Sequence, residues 1–159
     1  MKRLFKRNKK KTHFYPTDVW SEIATQYNIK DKLFDFIKHK STSEIGDGIT
    51  IYGEIFGDGI QKNYDYGLKD IQFVGFDVKL NNEYVTVAQT KFTMDTLGLP
   101  HVGILYTGPW SQEIQDKFTF NNFIQGTKVP HEGIVIKHTS GERNKIYKCI
   151  NPDYLIYGE

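Results

Sequence analysis

The sequence predicts an α+β fold, and three observations carry that prediction. Apolar residues alternate with other residues over 48–57 and again over 72–80, the period of a β-strand. They recur at helical spacing over 16–39, 88–97 and 109–121. The helices fall irregularly between the strands, without the strand–helix–strand rhythm of a doubly wound parallel sheet.

Each element follows from its residues. Pro16-Thr17-Asp18 opens the first helix, with Thr17 or Asp18 as N-cap and Trp20, Ile23, Ala24 and Tyr27 on its inner side. A second helix covers about Lys30 to His39, with Leu33, Phe34 and Ile37 inward. Ser41 to Gly48 is a loop. In the first strand Ile49, Ile51 and Ile55 share one face, and Thr50, Tyr52, Glu54 and Phe56 the other. In the second, Val74, Phe76, Val78 and Leu80 oppose Phe73, Gly75 and Asp77. Asn81-Asn82 marks a hairpin into a short strand near Tyr84 to Val87. A helix over Ala88 to Leu97 is stopped by Gly98 and Pro100. A short strand is predicted at Val102 to Tyr106, then a helix over Pro109 to Asn121 with Trp110, Ile114 and Phe118 inward. Strands over Glu132 to His138 and Lys145 to Ile150 follow. Trp20 and Trp110, set among apolar neighbours, are assigned to the core.

Composition narrows the function classes. With 159 residues, 38 % hydrophobic and 25 % charged, the chain is expected to form one packed domain. A single cysteine, Cys149, excludes an internal disulfide framework and a cysteine-based zinc site. The five histidines show no metal-ligand spacing. No apolar run reaches the roughly 20 residues of a membrane span, and no apolar core follows the basic N-terminus as in a secretory signal. No membrane partner and a reducing, cytoplasmic location are therefore expected. Net charge is +2, yet residues 1–11 carry seven Lys/Arg and no acid. Such an arm suits a polyanion, because lysine and arginine displace counterions from phosphates.

Several polar residues interrupt the apolar pattern. Glu54 lies mid-strand between Gly53 and Gly57, and glycine in a strand marks close approach of a ligand or another backbone. Asp77 interrupts Phe73-Val-Gly-Phe-Asp-Val78. Glu132 opens the strand Glu132-Gly-Ile-Val-Ile-Lys137, and Lys145 and Lys148 bracket the last strand. Singly, each fits a solvated strand residue or an edge-guarding lysine.

Together and in order, these segments resemble the motif ladder of ATP-dependent RNA ligases, in the superfamily of DNA ligases and mRNA capping enzymes. The ladder runs Tyr52-Gly-Glu-Ile-Phe-Gly57, Phe73-Val-Gly-Phe-Asp-Val78, Glu132-Gly-Ile-Val-Ile-Lys137 and Tyr147-Lys-Cys149. Gly57-Asp-Gly-Ile-Gln-Lys-Asn-Tyr64 with Tyr66-Gly-Leu-Lys69, Trp20 through Leu33, and Lys6-Arg-Asn-Lys9 are similar to the RNA ligase branch.

The resemblance implies an antiparallel-sheet nucleotidyltransferase domain of ATP-grasp-like type, spanning 1–159 and incomplete at its N-terminal side. It implies ATP and Mg²⁺ as cofactors and RNA ends as substrate. A 5′-phosphate and a 3′-hydroxyl would be joined through lysyl-adenylate and adenylylated-RNA intermediates. Residue by residue, Phe76 matches the ring that stacks on adenine. Phe73 is the alternative, since strict alternation puts Phe76 with Val74 and Val78. Glu54 matches the ribose ligand and Asp77 the acid beside the ring. Glu132 matches the carboxylate serving the metal and the α-phosphate. Lys148 and Lys137 match cations that offset charge on that phosphate. Arg7 matches the arginine near phosphate and nucleic acid.

The pattern departs from the family in two places. None of the 18 lysines begins a Lys-x-(Asp/Asn)-Gly motif, the family's nucleophile. The final Lys-x-Lys reads Ile146-Tyr147-Lys148, leaving Lys145 to compensate from one residue away. Three alternatives follow: half of a split ligase completed by an upstream polypeptide bearing the lysine, a fragment, or a non-catalytic nucleotide- or nucleic-acid-binding relative. Without the earlier strands, the Ile49/Ile51/Ile55 and Val74/Phe76/Val78 faces are expected to be partly bare.

Overall fold

In a computed structural model the structure describes residues 19–39, 48–60 and 66–157. These fall into two compact units. The first holds 19–39, 48–55, Gln72–Val102 and Thr139–Gly141; the second holds 56–60, 66–71, Gly103–His138 and 142–157. Arg7, the basic arm and the Thr17/Asp18 cap lie outside the described residues.

The first unit begins with helices α1 (Val19–Gln26) and α2 (Ile29–Lys38). Asn28 joins them at φ 50°, a left-handed conformation that asparagine tolerates better than most residues. Ile23 and Ile29 are buried. Leu33 and Ile37 are half-buried, whereas Phe34, predicted inward, is exposed. Strands β1 (Ile49–Phe56), β2 (Gln72–Leu80) and β3 (Glu83–Tyr84) form a sheet in that order. The Asn81 N–H donates to Gly48 O at 3.1 Å, so the end of β2 lies beside the start of β1. Asn81 and Asn82 both have positive φ (51° and 64°), the geometry of a two-residue hairpin turn. It sets Lys79 opposite Tyr84 and Leu80 opposite Glu83.

Helix α3 (Val87–Thr96) is closed at both ends by local chemistry. Thr86 Oγ1 accepts from the Gln89 N–H, and Gln89 Oε1 accepts from the Thr86 N–H, a reciprocal capping box. At the other end Gly98, at φ 58°, donates to Asp95 O, and Leu99 donates to Met94 O. This paired closure satisfies two terminal carbonyls. A Cβ at Gly75 would strike the Met94 thioether, so glycine at 75 lets α3 lie close on β2.

Two predictions fail here for physical reasons. Val102 to Tyr106 is not a strand. β3 is only two residues long, so the edge of β2 near Gly75 is taken by Pro100–Val102. The Gly75 N–H donates to Pro100 O and the Val102 N–H to Gly75 O. Beyond Val102 the chain has no ladder, and Ile104, Leu105 and Tyr106 are exposed. The alternation of β2 is also interrupted. Phe73 lies on the face of Gly53, where a Cβ would meet its ring. Tyr84 stacks on Tyr52 (5.4 Å) and beneath the Lys79 ammonium (4.4 Å), which places Lys79 on the opposite face. Residues 73 and 79 would share a face under a strict period of two. The phase therefore changes between Gly75 and Lys79, across Phe76 and Asp77. Ile49, Ile51 and Ile55 are buried.

The second unit contains α4 (Gln112–Thr119), the antiparallel hairpin β4 (Gly133–Lys137) and β5 (Ile146–Ile150), and α5 (Pro152–Tyr157). Helix α4 starts three residues later than predicted because Ser111 caps it, its Oγ accepting from the Ile114 N–H. Trp110 is thereby left outside the helix and 61 % exposed, not in the core; its Nε1 donates to Gln115 Oε1 at 3.1 Å. Periodicity does not predict helix α5. Its start lies in Asn151-Pro152, an N-cap residue followed by proline at the first helical position.

Candidate active site

The hairpin places the predicted cations by register. Val135 faces Lys148 and Lys137 faces Ile146, so Val135, Lys137, Ile146 and Lys148 share one face. Ile134, Ile136, Tyr147 and Cys149 share the other. Lys137 and Lys148 are therefore neighbours on one surface. Ile146 occupies the position where a Lys-x-Lys pattern would put its first lysine, and Lys137 stands directly across from it. Lys145 lies in the 3-10 turn Arg143–Lys145 and pairs with Glu142 at 3.0 Å. It sits at the turn, not on the strand face.

Glu132 precedes β4 and forms an ion pair with Lys148 through its Oε1. The carboxylate side chain is 25 % exposed and the lysine 53 %, so the pair remains open to solvent. Gly133 makes this approach possible. Its φ is 144°, and a Cβ there would collide with Cys149 O. The glycine after Glu132 is thus a requirement of hairpin geometry.

In the first unit, Glu54 stands exposed on β1, two residues from Tyr52. Phe76 and Asp77 are half-buried and sit where β2 changes phase. Such interruptions re-aim side chains and are frequent beside functional sites. Phe73 is corrected: it is 1 % exposed, packs edge-on against Tyr27 at 5.9 Å and covers Gly53. That ring is part of the core. Of the residues that the sequence predicts for the site, Glu54, Phe76 and Asp77 lie in one unit and Glu132, Lys137 and Lys148 in the other.

Among the described residues there is no group of three or more His, Cys, Asp or Glu arranged to hold a metal. No helix among the described residues is long and apolar enough to cross a membrane.

The fold is of the nucleotidyltransferase type found in RNA ligases. Solved structures of an RNA ligase from Naegleria gruberi share the architecture. A lysine-to-methionine variant with AMP and manganese aligns at TM-score 0.70 with 22 % identity, covering 90 % of this chain and 41 % of that one. A lysine-to-alanine variant with ATP and manganese gives the same values. An apo lysine-to-alanine variant aligns at 0.69 with 22 % identity and the same coverage. This chain thus spans about two fifths of the length of those ligases. The RNA ligase family model matches residues 2–150, and the chain belongs to the RNA ligase family. No curated protein matches it.

Proposed function

We propose that this chain is the ATP-handling part of an RNA ligase that joins 5′-phosphate to 3′-hydroxyl ends. The observation that carries this reading is the hairpin face on which Glu132 meets Lys148 beside Lys137. Two fixed cations next to one carboxylate suit an α-phosphate that gains charge as pyrophosphate leaves. Phe76 would stack on adenine, Glu54 would accept from the ribose hydroxyls, and Asp77 would orient the base side. Glu132 would carry Mg²⁺ together with the phosphates, and the metal would supply charge neutralisation. RNA is the macromolecular partner, and Arg7 on the basic arm would meet its phosphates. The nucleotidyltransferase domain would extend over 1–159.

The lysine that becomes adenylylated is assigned to a polypeptide segment outside these 159 residues, since no Lys-x-(Asp/Asn)-Gly motif occurs in them. That absence also favours a second reading, a non-catalytic binding relative. One experiment separates the two. Purified chain is incubated with Mg²⁺ and α-labelled ATP, alone and with a polypeptide carrying the upstream lysine motif of an RNA ligase. The ligase reading expects saturable ATP binding by this chain, weakened about tenfold or more by Glu132→Gln or Phe76→Ala. It expects covalent label only in the mixture, on the added polypeptide. Covalent label on this chain alone would overturn the assignment of the nucleophile. ATP binding with no label in the mixture would favour the binding-only relative.

A further inference from the structure

We infer that Asn151 is the positioning residue that fixes Glu132 toward Lys148, an inference resting on the reading of Glu132 given above. Asn151 is fully buried, with 0 % of its surface exposed. All its hydrogen-bonding groups are engaged by short segments around the ion pair. Its backbone N–H donates to Glu132 O at 2.9 Å, extending the β4–β5 register by one residue. Its Nδ2 donates to Asn122 O at 3.1 Å. Asn122 O also accepts from the His131 N–H at 2.9 Å. The chain is therefore tied to one small cluster on either side of Glu132: at the His131 N–H, one peptide earlier than the group entering the Glu132 Cα, and at Glu132 O, in the peptide that follows it. Asn122 is anchored in turn, its Nδ2 donating to Phe118 O at 2.9 Å near the end of α4. Asn151 Oδ1 accepts from the Asp153 N–H at 3.1 Å and its carbonyl from the Tyr154 N–H at 3.1 Å, starting α5.

The chemistry selects the residue type. The site asks one short side chain to donate to a carbonyl and to accept from an amide. A carboxylate lacks the donor, serine is too short to reach Asn122 while capping α5, and an apolar residue would leave both partners unsatisfied in a buried place. With the chain held at the His131 N–H and at Glu132 O, the direction of the Glu132 Cα–Cβ bond is confined. Outer groups of this kind orient the groups that meet a ligand.

The test uses the full chain, labelled with ¹⁵N. The ammonium signal of Lys148, identified by its loss in Lys148→Arg, reports the ion pair. Asn151→Ser and Asn151→Asp both keep an acceptor for the α5 cap and remove the donor to Asn122. The expected result is a native backbone-amide spectrum with the Lys148 ammonium signal lost, as in Glu132→Gln, and Mg²⁺·ATP affinity reduced about tenfold or more. An unchanged ammonium signal in a folded variant would overturn the inference. Loss of the native amide spectrum in both variants would also overturn it, making Asn151 a folding residue only. The two readings fail separately. If Glu132→Gln leaves ATP binding unchanged, the assignment of the nucleotide site falls, while the ammonium signal still decides what Asn151 does.

Discussion

Gly133 carries no side chain, yet the hairpin that presents Glu132 depends on it. Any side chain at this position would meet Cys149 O, at a φ of 144° that L-residues avoid. Gly133→Ala is expected to destabilise the chain by about 2–4 kcal/mol, the range of strain added to a steric clash. It should also weaken the Glu132–Lys148 pair. Urea denaturation with far-ultraviolet dichroism checks the first effect, and a midpoint within error of the wild type would refute it. At this scale the sequence was uneven as a guide. That Glu132, Lys137 and Lys148 come together on one hairpin was legible because their types and spacing repeat a family pattern. Phe73 and Phe76 were not separable by alternation, because the strand changes phase between them and Lys79. Asn151 carried no signal beyond an ordinary Asn-Pro helix start; its role comes from the distant Asn122 carbonyl, which no local pattern encodes.

The elements were most legible where their ends carry chemistry. Helix α3 runs Val87–Thr96 against a predicted Ala88 to Leu97, because Thr86, Gln89 and Gly98 state its limits in their side chains and backbone freedom. Thr86→Ala should cost about 1 kcal/mol, since it removes an acceptor from the first turn. Gly98→Ala should cost a similar amount by forcing a Cβ into the left-handed region, about 1 kcal/mol. Thermal denaturation of the two variants and their combination should show near-additive losses, as the two ends share no partner. An undiminished midpoint for Thr86→Ala would show that the capping box contributes nothing. The stretch Val102 to Tyr106 failed for a complementary reason. Its branched and aromatic residues have strand preference, but preference needs an edge to pair with. The available edge of β2 is consumed by Pro100–Val102.

For the molecule as a whole, charge is distributed more tellingly than its total. Seven of the 21 Lys/Arg residues precede residue 12, and the remainder is net acidic by five (14 basic against 19 acidic). Removing residues 1–11 should lower RNA affinity at low salt. It should also flatten the slope of log affinity against log salt, by about 0.7 per lost phosphate contact on a single strand. Filter binding from 50 to 300 mM KCl measures this, and an unaltered slope would free the arm from any part in RNA binding. Exposed apolar residues are numerous in the second unit, at Ile104, Leu105, Tyr106, Trp110, Leu155 and Ile156. Scattered apolar exposure is ordinary, but this density invites association at high concentration. Light scattering across a dilution series should therefore show mass rising with concentration.

The separation of sixteen residues between Glu132 and Lys148 has a kinetic meaning. Closing a loop of this length takes well under a microsecond and a hairpin forms in about 1–10 μs. The first unit must instead join segments such as Tyr27 and Phe73, 46 residues apart. Search time grows with such distances. The charged pair should consequently be in place while the Tyr27–Phe73 contact of the first unit is still assembling. A chain interrupted partway through folding would then hold the Glu132–Lys148 pair before its larger sheet had closed.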